Sequence, residues 1–241
     1  MNHSHIGLAG VYHLVFFGLL LPWGAIKSAR RLKNRPYPPR KKYFFTVILQ
    51  QVFFILLSLF VAQMEWVELF SSPKNGWSFL VAAAILAVLI VVMIPRWRKA
   101  VEKRERRVYL FMARDNRERG IWVLISLLAG IGEELTYRGV MFILLWRITG
   151  SGIAAALIAA VVFGISHYIQ GWTSALLIAG FALIFQGLYY ISGSLLAPIL
   201  LHFTYDVVAG FMYGHFANKL GYPAEGVPPG EIGELELRGA E

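Results

Sequence analysis

The chain has 241 residues, 57% hydrophobic and only 15% charged, which is too apolar for a soluble domain of this length and indicates a polytopic membrane protein. It has no cysteine, which excludes disulfides, thiolate metal sites and a cysteine nucleophile. The net charge of +9 does not point to nucleic acid: 18 of the 23 Lys and Arg lie in two segments between apolar runs, eight in 27–42 and ten in 96–119. That is the positive-inside pattern, and it places both segments in the cytoplasm.

The first apolar run, about 6–26, has no Lys or Arg before it and a basic cluster after it, the reverse of a signal peptide. It reads as a retained helix with its N-terminus outside, preceded by a terminus in which His3 and His5 are more simply disordered than metal-binding. Pro36, Pro38 and Pro39 then favour an extended linker. The second run, 43–62, leads into a loop with Glu65, Glu68 and a Ser-Ser-Pro-Lys-Asn-Gly turn that suits the outer face. The third run, 77–94, is expected to stop at Pro95, and the basic segment after it, with interleaved Trp97, Val101, Val108, Tyr109, Leu110 and Phe111, to form a solvated helix or to lie partly as an amphipathic helix on the membrane surface. Four further runs follow, at about 121–147, 152–168, 173–191 and 195–213. The expected fold is therefore all-α, a bundle of about seven membrane helices with the N-terminus outside and the C-terminus cytoplasmic. Residues 1–119 form three helices with two basic loops, 120–213 a four-helix core, and 214–241 an acidic flexible tail.

The fourth run carries Ile-Gly-Glu-Glu-Leu-Thr-Tyr-Arg-Gly at 131–139. Charges near mid-bilayer cost about 2.5–3.5 kcal/mol each on insertion scales, so they need partners or a polar cavity. Glu134 and Arg138, four apart, share a helical face, and Arg138 neutralises Glu134. Glu133 is turned about 100° away, onto the face of Tyr137, and lies about 18 Å from the cytoplasmic end of its helix. It is the candidate general base. His167 follows Phe163 by one turn in the fifth run, and His202 precedes Asp206 by one turn in the seventh. Three helices thus offer these groups at similar depth, which suggests one shared cavity. Without a cysteine or an evident Ser-His-acid triad, attack by activated water is the simplest hydrolysis. His167 would help to hold that water, and His202 and Asp206 would stabilise the oxyanion. His13 and His215 read as packed histidines, Tyr137 and Phe163 as cavity walls, and Gly210 with Gly214 as a close-packing pair.

Three motifs, Glu133-Glu134-x-x-x-Arg138, Phe163-x-x-x-His167 and His202-x-x-x-Asp206, each in an apolar run and in this order, resemble those of the CAAX protease and bacteriocin-processing (CPBP, or Abi) family of intramembrane proteases. The family includes the type II CAAX prenyl endopeptidases. The resemblance covers about 120–213. It implies a helical bundle around a conical cavity, with Glu133 as general base, His167 as its partner, and His202 and Asp206 on the oxyanion side. The CAAX endopeptidases typically carry Asn where this chain has Asp206, and an ionised Asp cannot donate to an oxyanion.

The expected function is endopeptidase cleavage of a membrane-associated or lipidated peptide or protein, with the bilayer as setting and no nucleic-acid partner. A non-catalytic immunity or scaffold protein and a proton-coupled transporter are the alternatives, the former because bacterial relatives are linked to bacteriocin self-immunity. Metal-independent catalysis is the first reading. A metalloprotease version would use zinc on Glu133, His167 and His202, since a fourth protein ligand would close the site to water. Size and resemblance together suggest a bacterial plasma membrane.

Overall fold

The computed structural model describes residues 5–229, so His3 and residues 230–241 of the acidic tail lie outside the described residues. Within them every regular element is helical. In chain order the helices are α1 (Leu8–Lys33), α2 (Arg40–Met64), α3 (Trp77–Glu102), the short α4 (Val108–Phe111), α5 (Asn116–Thr149), α6 (Gly152–Ser166), α7 (Trp172–Ser192) and α8 (Leu196–Lys219). Six of them, α1, α2, α3, α5, α7 and α8, are long and apolar enough to cross a membrane. The fifth apolar run, read as a crossing, forms α6. At 15 residues it is about 22 Å long, short of the roughly 30 Å hydrocarbon core.

Burial singles out α5. Its most apolar stretch is 61% buried, against 22% to 39% in the other five, so α5 is the central column and its neighbours turn Leu, Val and Phe side chains outward. Local chemistry sets the helix ends. Asp115 caps α5 by accepting from the Glu118 amide at 2.8 Å, Ser151 caps α6 through the Ala154 amide, and left-handed Gly150 and Gly193 end α5 and α7. The N-terminus of α1 has no side-chain cap of its own. Instead the buried Glu65 carboxylate, just past the end of α2, accepts from the Gly7 and Gly10 amides at 3.0 and 2.7 Å. Negative charge there also suits the helix dipole.

Three expectations are corrected. Helix α3 does not stop at Pro95 but runs to Glu102. A proline inside a helix removes one amide donor and crowds the carbonyl four residues back, and burial of Trp97, Ala100 and Val101 holds the turns beyond it. The segment after α3 does not lie as a surface helix: Val108, Tyr109 and Leu110 are buried in a core with Tyr213, Ala217, Tyr222 and Val227. Helix α8 continues to Lys219, which places His215 inside it, exposed rather than packed.

Both basic segments meet at one end of the bundle. Arg106 donates to the carbonyls of Leu32, Lys33, Arg35 and Val227 at 2.6–3.0 Å, and its guanidinium lies over Tyr37. Arg40 pairs with Glu118 at 2.6 Å and also donates to the Tyr109 and Met112 carbonyls. These contacts tie the loop after α1 to the loop before α5.

Candidate active site

From Glu134 to Met141 the α5 backbone widens into a π-helix, a rare form that is frequent at functional sites. Two side chains brace it. Buried His13 of α1 places Nε2 3.3 Å from the Thr136 carbonyl, and Ser58 of α2 shares a 2.8 Å hydrogen bond with the Thr136 hydroxyl. His13 is thus the packed histidine its surroundings suggested.

Glu134 is fully buried behind the site. Its Oε1 accepts from His202 Nδ1 at 2.8 Å and lies 3.1 Å from Arg138 Nη1. The Arg138 contact is an ion pair without hydrogen-bond alignment, because both Arg138 Nη atoms and Glu134 Oε2 have no hydrogen-bond partner. The guanidinium instead lies over the Phe163 and Phe185 rings, 4.6 and 5.5 Å from their centres, a cation–π arrangement.

Glu133 borders a cavity of about 580 Å³. Its Oε1 accepts from Gln51 Nε2 of α2 at 2.8 Å, while Oε2 lies 3.7 Å from Nε2 of both His167 and His202. His167 Nδ1 is 2.8 Å from the Phe163 carbonyl, which can only accept, so Nδ1 carries a proton and Nε2 is the nitrogen turned to Glu133. The same logic places a proton on His202 Nδ1, facing Glu134. His202 Nε2 is also 3.6 Å from Asp206 Oδ2. Tyr137 and Phe163 line the cavity and pack edge to face, and Tyr137 donates to the Ser166 hydroxyl at 3.2 Å. All six residues singled out for chemistry therefore converge, five on the cavity wall and Glu134 directly behind it.

Small residues permit the convergence. A Cβ on Gly130 would lie 3.1 Å from the α8 backbone at Ile199 and Phe203. On Gly210 it would overlap the Trp122 indole, and on Gly214 the Ala113 carbonyl, so both glycines serve close packing. The Trp122 indole donates to the Asp206 carbonyl at 2.8 Å and ties α5 to α8 beside the acid. At the basic end a second cavity, about 740 Å³, shares Arg96, Arg107, Ile169, Gln170 and Ser174 with the first.

Among the described residues no three His, Asp or Glu side chains are grouped so as to hold a metal ion, and the bond from His202 Nδ1 to Glu134 leaves Nε2 as the free nitrogen.

Residues 116–208 match a family model described as type II CAAX prenyl endopeptidase Rce1-like. This segment is similar to that family. It runs from the start of α5 into α8 and contains all three motifs, and the family is one of proteases. No curated protein and no solved structure matches the chain. One residue at the site lies outside the Rce1-like segment and escaped the reading by motif. Gln51 is 4% exposed and touches Glu133 directly. The available signal was a carboxamide in an apolar run, but Gln50 beside it gives the same signal and is exposed.

Proposed function

We propose that this protein is an intramembrane endopeptidase that cleaves a membrane-associated or lipidated peptide with water activated by Glu133. The observation that carries the reading is the facing pair of acceptors, Glu133 Oε2 and His167 Nε2, 3.7 Å apart on the wall of a cavity inside a membrane bundle. That gap is too long for a direct hydrogen bond and suits a water that donates one O–H to each. As the water oxygen attacks the peptide carbonyl carbon, its proton passes to Glu133 Oε2. His202, held through Nδ1 by Glu134, meets the developing oxyanion from Nε2 when it carries its second proton. Glu133 then returns the proton to the leaving nitrogen, the C–N bond breaks, and the products are a carboxylic acid and an amine, between which a proton passes to leave carboxylate and ammonium. Ionised Asp206 only accepts, so its part is to orient His202. No step passes through a metal.

The basic end faces the cytoplasm in this reading, and substrate arrives through the adjoining cavity there or laterally from the bilayer. The positive-inside distribution and the shared lining of the two cavities support it. The test is cleavage of prenylated and small hydrophobic peptides by the full-length protein in bilayers, wild type against Glu133→Gln at matched amounts. Cleavage by wild type alone is expected; equal cleavage by both would remove Glu133 from the mechanism.

A further inference from the structure

Gln51 offers the only hydrogen bond to the Glu133 carboxylate among the described residues. Resting on the reading above, we infer that Gln51 is a positioning residue that fixes which oxygen of Glu133 faces the water. The two oxygens of a carboxylate are chemically equivalent, and rotation about its last torsion exchanges them. Neither imidazole prevents this, since both stand 3.7 Å away. The Gln51 amide ties Oε1 at 2.8 Å to α2 and leaves Oε2 as the oxygen turned towards His167 and His202.

Two further observations argue that the amide is there for Glu133 rather than for packing. Gln51 Oε1 is buried and has no hydrogen-bond partner. An orphaned buried acceptor is destabilising, and an apolar side chain of the same length would avoid that cost. The approach is also close by construction. Gly132, the residue before Glu133, leaves no room for a side chain: a Cβ would lie 2.9 Å from Gln51 Oε1 and 3.2 Å from the Gln51 carbonyl. Helix α2 is thereby brought against α5 at the turn that carries the base. The half of the chain without motifs thus supplies a direct contact to the reacting carboxylate.

The experiment compares wild type, Gln51→Met and Gln51→Asn in steady-state cleavage of a peptide that wild type cuts, with thermal unfolding in the same detergent. Methionine keeps the length and loses the donor; asparagine keeps the donor and falls short. The expected result is a fall in kcat of about 10-fold to 100-fold in both, up to the roughly 100-fold that misplacement of a reacting group can cost, with KM within about twofold and unfolding of Gln51→Met no earlier than wild type. In a Glu133→Gln background, Gln51→Met should produce no further loss. Unchanged kcat in both variants would overturn the inference, as would a change confined to KM, which marks substrate binding. A kcat loss that tracks earlier unfolding across the two variants would also overturn it, because that marks packing. Failure of the protease reading looks different: wild type itself would cleave no peptide, and the inference would fall with it.

Discussion

Buried charge at the basic end and buried charge in the middle of the bundle are satisfied differently. At the basic end, Arg106 ends on four backbone carbonyls and Arg40 on a carboxylate and two carbonyls. In the middle of the bundle the groups lean on one another and leave bonds unmade: Gln51 Oε1, Glu134 Oε2 and both Arg138 Nη atoms have no hydrogen-bond partner. Native proteins keep few such orphans. The contrast separates a clamp, whose donors are spent on holding backbone, from a constellation that retains capacity for something else.

Substitutions at each place should break the contrast in opposite ways. The largest effect belongs to Glu133→Gln, expected to cost about 10²–10⁴-fold in cleavage rate with no fall in the unfolding temperature, as measured by peptide cleavage beside thermal unfolding. Arg138→Leu should act on stability instead. It strands the Glu134 carboxylate inside the bundle, and removing one partner of a buried pair costs about 3–5 kcal/mol; adding Glu134→Gln should recover much of that in the same unfolding assay. Arg106→Leu leaves four carbonyls without their donor, and a loss of about 1–3 kcal/mol is expected. It should appear as faster amide exchange around residues 32–35 and 222–227, with kcat unchanged. The smallest effect expected is none: protein prepared free of metal should cleave at the same rate with and without a chelator, and restoration of activity by zinc alone would reverse that reading.

The polar cluster was legible because charge inside an apolar run has few explanations, and because the spacing of Glu134 and Arg138 survives the change from α-helix to π-helix. The π-helix over Glu134–Met141 was not anticipated, because the spacing of these residues was read as α-helical. Gln51 could not be told from Gln50 until the rotation of α2 was known. The boundary at Pro95 misled for a related reason. A proline reads locally as a stop, yet the burial of Trp97 that carries α3 past it is a tertiary contact, made with Tyr205 and Tyr213 of α8. The length of α6 was overestimated by two residues because the apolar run extends into the turn that presents His167.

The Arg106 clamp also has a history in time. One of its four carbonyls belongs to Val227, 121 residues further along the chain. At about 5–20 residues per second, translation takes roughly 6–24 s to supply that last partner after Arg106 has been made. Arg106 also lines the basic-end cavity. The wall of that cavity at Arg106 is therefore completed only after Glu133, His167, His202 and Asp206 have all been made.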